Sequence, residues 1–390
     1  MSDKIFHPPS LHGHIPALDG LRGVAILLVM FIHFTVINPI GTIEVWFQKV
    51  AYLGMHGVDL FFVLSGYLIT SILLDTKGKE NFLRNFYMRR ILRIFPLYYA
   101  IVALSFLILP ILLSHFTAGT AKLARFDAVS GDWIWYVLYC SNFLIARTDA
   151  IRHGILDVTW SLAIEEQFYM IWGITVLLSD KKLLKRICIS VIFCALLFRT
   201  VLWLSGFSWL QIYMLTPSRI DTIAWGAMIS IITRSSDYDA EKLTKDARII
   251  MVITGIILSI FFMSEFLHYA SPVSYTIGYS LIGAFFAQIL ISVLNAPKGS
   301  IVNRIFASGF LTFFGKYSYA IYLFHLPIRA VIRDLFFGDK QFHTLPGPAI
   351  VWQMVFYIVA TLAVIPPTLL SWYLFENPFL KLKKYFYYQS

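Results

Sequence analysis

Apolar stretches of about twenty residues recur along almost the whole chain, separated by short polar loops, and few folds can accommodate such a pattern. They read at roughly 18–37, 57–75, 93–113, 160–178, 186–204, 218–233, 248–267, 275–294, 309–335 and 348–376. A helix of that length crosses the hydrocarbon core, where every backbone N–H and C=O must be bonded within its own helix. The pattern therefore predicts an all-α, polytopic membrane helix bundle of about ten transmembrane helices. With 58% hydrophobic and only 14% charged residues, and a mean hydropathy of +0.71, a water-soluble fold of 390 residues would leave too much apolar surface exposed. The first dozen residues are polar and no small-residue cleavage site follows the first stretch, so that stretch is expected to be retained as a span.

The net charge of +10 is distributed in a way that orients the bundle. Basic residues gather after the second, fourth, sixth and eighth stretches and again after the tenth. With both termini in the cytoplasm, about 22 of the 32 Lys and Arg fall inside, against about 10 in the opposite orientation. The same distribution argues against nucleic-acid binding, because the charge follows alternate loops and builds no continuous patch. Cys140, Cys188 and Cys194 have neither metal-type nor redox-type spacing. The chain reads as a single membrane-embedded domain over 1–390, and nothing in it fixes an oligomeric state.

Residues 131–146 are apolar and aromatic yet short for a span. Counting them as one would send every later basic loop outside. They are therefore expected as an interfacial or re-entrant segment of a long external loop, 114–159, with Trp133, Trp135, Tyr136 and Tyr139 at the membrane surface.

Ionisable residues inside spans are expensive and read first as functional. His33 interrupts the first stretch, eleven residues after Arg22 and so about 16 Å along a helix. Arg90 and Arg93, three apart, share a helix face that could receive phosphates; a cytoplasmic anchor would use the same residues. Glu165 and Glu166 open the fourth stretch and, by depth, come level with His33. One of them could orient that imidazole as a general base on a hydroxyl, or both could complement a helix N-terminus. Asp59 and Ser65 lie in the second stretch, Ser65-Gly66 near its middle, where small residues let helices approach. Trp160 heads the fourth stretch. His325 in the ninth is either a site residue or a satisfied bundle histidine.

Taken in order, six segments resemble the acyltransferase 3 family of integral membrane acyltransferases. They are Leu18-Asp-Gly-Leu-Arg-Gly with His33; Gly57-Val-Asp-Leu-Phe-Phe-Val-Leu-Ser-Gly-Tyr-Leu-Ile; Phe86-Tyr-Met-Arg-Arg-Ile-Leu-Arg-Ile-Phe-Pro-Leu-Tyr-Tyr; Trp160-Ser-Leu-Ala-Ile-Glu-Glu-Gln-Phe-Tyr; Ser218-Arg-Ile-Asp; and Tyr317-Ser-Tyr-Ala-Ile-Tyr-Leu-Phe-His. The resemblance runs from about residue 15 to 380.

It implies a ten-span enzyme of the bacterial inner membrane. Such an enzyme moves an acyl group, usually acetyl, from cytoplasmic acyl-CoA to a hydroxyl of a sugar or exported glycan, with no metal. His33 matches the catalytic histidine of the first span, Glu166 or Glu165 its acid, Arg90 and Arg93 the R-x-x-R pair implicated in donor binding, and Arg22 an arginine of the opening motif. Asp59, Ser65, Trp160 and His325 are then candidate acceptor contacts. The rival class is a transporter or proton-coupled exporter using the same buried charges, but the repeated halves and matched broken helices of transporters are not evident in the sequence.

Overall fold

Among the described residues the long helices are α1 (Pro16–His33), α2 (Gly57–Thr76), α3 (Phe82–Ala103), α4 (Thr159–Leu178), α5 (Lys181–Leu204), α6 (Thr216–Ile232), α7 (Ala240–Met263), α8 (Tyr279–Leu294), α9 (Ser318–Phe336) and α10 (Ala349–Ser371). The computed structural model describes residues 15–116, 128–336 and 342–388, and among these there is no β-strand. Seven stretches, containing α1, α2, α3, α5, α7, α8 and α10, are long and apolar enough to cross a membrane. The other three are helical over nearly the expected ranges but carry Glu165 and Glu166 (α4), Arg219 and Asp221 (α6), and His325, Arg329 and Arg333 (α9). Of these, α6 is also one residue short of the length needed.

Close packing at the centre depends on missing side chains. A Cβ on Gly66 of α2 would lie 1.9 Å from the Ile223 carbonyl oxygen of α6, and one on Gly226 of α6 would lie 1.9 Å from that of Val63. No residue larger than glycine fits either position without parting the helices, as expected where backbones touch. By contrast, α5 and α7 lie at the periphery. Ile189, Phe193, Leu197 and Val201 on α5, and Val252, Ile256 and Ile260 on α7, are exposed, as suits a lipid-facing surface.

Three boundaries differ from the sequence reading. The third helix starts at Phe82 and not near 93, so Arg89, Arg90 and Arg93 lie two to three turns inside it. Hydropathy excludes guanidinium groups that a helix can still bury on its inner face. The ninth stretch breaks at Tyr317, separating a short helix, Gly309–Lys316, from α9. The 131–146 segment forms two short helices, Trp133–Val137 and Ser141–Thr148. Tyr136 and Tyr139, expected at the membrane surface, are buried. Tyr139 stacks on Tyr98 of α3 at 4.2 Å, and its carbonyl accepts from Gln167 Nε2 of α4 at 2.8 Å. Part of the predicted loop, 117–127, lies outside the described residues. Just before α4, Asp157 accepts from the backbone N–H of His153 (3.0 Å) and Gly154 (2.6 Å). Burial there pushes the His153 imidazole down to about 4.

Candidate active site

His33 is the last residue of α1, and the chain beyond it is held by a single amide. Helix ends leave backbone groups without partners. Gln353 of α10, fully buried, accepts from Val36 N (2.9 Å) and Ile37 N (3.0 Å) and donates to the Phe34 carbonyl (2.8 Å). Thr35 adds a hydroxyl contact with Tyr357 at 2.6 Å. The helix end bearing the imidazole is thus fixed to α10.

The ring itself faces another imidazole. His33 Nδ1 and His325 Nε2 are 2.9 Å apart, and His325 Nδ1 lies 2.7 Å from the Tyr322 carbonyl oxygen. A carbonyl can only accept, so His325 carries its hydrogen on Nδ1. In the neutral ring Nε2 is then bare and must accept from His33 Nδ1–H. His33 Nε2 is left with a free lone pair, the state a general base requires. Arg329, one turn beyond His325, is a charged neighbour of both rings.

A cavity of about 100 Å³ has Tyr322 in its wall, and the Tyr322 ring lies 5.6 Å from that of His325. Arg22, Arg90, Arg93, Ser65, Glu165 and Tyr169 line it, with Ser161, Tyr319 and Tyr322. Ser65 donates to Glu165 at 2.5 Å, and the Arg90 guanidinium lies 4.3 Å over the Tyr169 ring. Arg22 pairs with Asp19 at 3.2 Å. Arg93 has Arg22 and Arg90 as like-charged neighbours, with Asp19 and Glu376 as the acids. Arg90 Nε and Glu166 Oε1 are buried with no hydrogen-bond partner among the described residues. A walled space with convergent guanidinium groups and an unmet donor suits an anionic ligand with an apolar arm.

The expectation that Glu165 or Glu166 orients His33 is corrected by this geometry. His325 takes the His33 Nδ1 hydrogen, and Glu165 faces Ser65 across the cavity. Depth was estimated from span ends alone, without knowing which helices adjoin. Glu165 lies six residues, about 9 Å, into α4 and beside the middle of α2. Trp160 and Asp59 also lie elsewhere than on the cavity wall. Trp160 packs on Tyr213 at 4.8 Å, and both Asp59 oxygens are engaged, one by Arg219 (2.5 Å) and one by His56 (3.0 Å). His325 is fully buried within the imidazole pair.

The sequence reading gave no role to Tyr322, Gln353 or the Arg199–Asp221 pair of α5 and α6, and took Glu376 for a cap or salt bridge at the end of the last stretch. Asp221 and Glu376 were visible as charges in apolar stretches, as was Arg199. Arg199 donates to Asp221 (2.9 Å), Ser280 (2.6 Å) and the Ser218 and Thr276 carbonyls.

The family model for the acyltransferase domain matches residues 15–371. The chain belongs to the acyltransferase 3 family. It is 28% identical over 383 residues to the peptidoglycan O-acetyltransferase OatA of Listeria monocytogenes, covering 94% of this chain and 56% of that protein. It is also 28% identical over 396 residues to YrhL of Bacillus subtilis strain 168, a candidate peptidoglycan O-acetyltransferase, with 96% and 56% covered. The chain thus spans little more than half the length of these curated relatives. No solved structure matches it.

Proposed function

We propose that this chain is a membrane O-acetyltransferase that takes an acetyl group from acetyl-CoA on the cytoplasmic side and delivers it to a glycan hydroxyl, peptidoglycan in the first instance, on the outer side of the cytoplasmic membrane. The reading includes ten spans with both termini inside, the orientation that the basic loops favour. One observation carries it. A cavity lined by Arg90, whose buried Nε has no hydrogen-bond partner among the described residues, shares Tyr322 with an imidazole pair whose tautomers leave His33 Nε2 basic. Family membership and the names of OatA and YrhL support the same class.

The donor phosphates bind at Arg90 and Arg93, with Arg22 nearby, and the pantetheine arm extends along the cavity toward Tyr322. His33 Nε2 removes the proton from the acceptor hydroxyl as its oxygen attacks the thioester carbonyl. The carbon–sulfur bond then breaks, and the imidazolium returns the proton to the departing coenzyme A thiolate. His325 Nε2, accepting from His33 Nδ1–H throughout, stabilises the positive ring, as a carboxylate does in a Ser-His-Asp triad. Glu165, held by Ser65, balances the guanidinium charge in the cavity.

The test uses the purified chain in nanodiscs with acetyl-CoA and solubilised peptidoglycan fragments. Thiol release and glycan ester are measured together. Wild type is expected to produce both in equal amounts. His33→Ala should lower turnover about 10²–10⁴-fold, the range for loss of a general base, while donor binding persists. Passage of acetyl-CoA or acceptor into sealed proteoliposomes of the same protein without ester formation would overturn the reading in favour of a transporter.

A further inference from the structure

Residues 382–388 fold back onto α3 at the turns that precede the donor arginines. Asn85 Nδ2 donates to the Tyr387 carbonyl at 2.8 Å. Arg89 Nη1 donates to the carbonyls of Phe386 (3.2 Å) and Lys383 (3.4 Å). The Arg84 guanidinium lies 5.7 Å from the Phe386 ring, and that of Arg89 lies 5.9 Å from the Tyr388 ring. Five contacts from one helix face are more than a loose tail needs. They fix the backbone of this segment against the helix that carries Arg90 and Arg93.

The consequence is a crowding of like charge. Lys383, half-buried, has Arg93, Arg90 and Arg89 as its charged neighbours, and it has no ion pair among the described residues. Arg89 already spends a donor on the tail carbonyls, so Lys383 is the cation left uncommitted at the outer rim of the cluster. Arg93 has Asp19 and Glu376, and Arg90 has Glu165 and Glu166, as acidic neighbours, whereas the charged neighbours of Lys383 are all guanidinium groups, so an anion at this rim would supply the counter-charge that Lys383 lacks.

The order of charges along the fold suits one anion in particular. Coenzyme A carries a pyrophosphate next to the pantetheine arm and a separate 3′-phosphate on the ribose beyond it. Arg93 and Arg90 line the cavity that would receive the arm, whereas Lys383 lies outside that wall. Resting on the donor reading above, we propose that the 382–388 segment is part of the donor site and that Lys383 binds the 3′-phosphate of the acyl-CoA. Arg90 and Arg93 hold the pyrophosphate.

The proposal is tested by direct binding to the full chain in nanodiscs, using coenzyme A and 3′-dephospho-coenzyme A as probes. K383Q should weaken coenzyme A by about tenfold, the effect of losing one charge-assisted contact. Its affinity for the dephospho form should stay within about twofold of wild type, which also reports an intact fold. K383R should retain most of the coenzyme A affinity. An equal loss on both probes would mean that the segment only supports α3 and would overturn the assignment, as would unchanged binding of coenzyme A. If the wild-type chain binds neither probe, the donor reading itself fails and takes this assignment with it.

Discussion

The charges that α2 shares with α6 meet in direct ion pairs and form a closed group, whereas those that α3 shares with α4 line a cavity and form an open one. In the first group Asp59 is gripped by Arg219 and His56, and the Arg219 guanidinium lies over Tyr279 (4.1 Å) and Tyr213 (4.6 Å). Next to it Arg199 uses its donors on Asp221, Ser280 and two carbonyls. Among the described residues, unpartnered buried atoms occur in both groups, Nε and Nη1 of Arg219 in the first and Arg90 Nε and Glu166 Oε1 in the second, but only in the second does a cavity adjoin them, with Arg93 having two other guanidinium groups for neighbours. Both groups sit in apolar surroundings where an isolated charge is costly. The closed group answers that cost with local partners. The open group borders a cavity, and its cost is offset only when a ligand supplies the missing charge. Neither burial of charge nor an unpartnered atom therefore identifies a site by itself; a space that a ligand could fill beside them does.

The contrast can be broken most directly at Asp59. Asp59→Asn leaves Arg219 charged and uncompensated, and losing one partner of a buried pair costs about 3–5 kcal/mol. The expected result is a large fall in thermal stability in detergent. Joint replacement of Asp59 and Arg219 by apolar residues should recover much of it. If Asp59→Asn instead kept its stability and lost acceptor affinity, the closed group would be part of the site, as the sequence reading had it.

Replacing Arg90 and Arg93 by glutamine should act chiefly on the donor. The two guanidinium groups repel each other but also have acidic neighbours, Glu165 and Glu166 for Arg90 and Asp19 and Glu376 for Arg93, so the stability cost should be smaller than that of Asp59→Asn, while KM for acetyl-CoA rises at least about tenfold through the loss of charge-assisted contacts. A drop in stability as large as that of Asp59→Asn would show that these arginines are anchors of the fold.

Much of the scaffold was legible in the sequence because hydrophobic length is a local property. Helices such as α5 and α7 follow from apolar runs started by an aspartate cap, Asp180 or Asp239. The residues proposed to carry the chemistry, Arg22, His33, Arg90, Arg93 and Glu165, were visible as charges in the wrong medium. Their partnerships were not. Whether an imidazole or a carboxylate meets His33 depends on which of ten helices adjoins α1, and spacing along one chain carries no such information. His325 is 292 residues from His33 and Gln353 is 317 from Val36. Tyr322 and Gln353 are polar groups on otherwise ordinary helices, so only the assembled bundle reveals that one stands in the cavity wall beside the imidazoles and the other secures the end of α1.

The smallest expected effect tests the boundary between the two groups. Glu165 is the one acid on the cavity wall with a hydroxyl partner, Ser65, and so belongs partly to each class. If it is chiefly a charge balancing the cavity arginines, Ser65→Ala removes one hydrogen bond and leaves the carboxylate beside Arg90. One such bond to a charged group is worth about 1.5–3 kcal/mol at most, and less where the oxygen can turn toward a second donor. Turnover should then fall by roughly fivefold with little change in stability, and affinity for coenzyme A should stay near wild type. Steady-state kinetics beside a thermal melt separate the outcomes. A loss of stability comparable to that of Asp59→Asn would move Glu165 into the closed group, because the serine would then be needed to keep a carboxylate buried. Unchanged turnover would mean that the Arg90 guanidinium alone holds the acid, and that the polarity of this wall is set by α3 and not by α2.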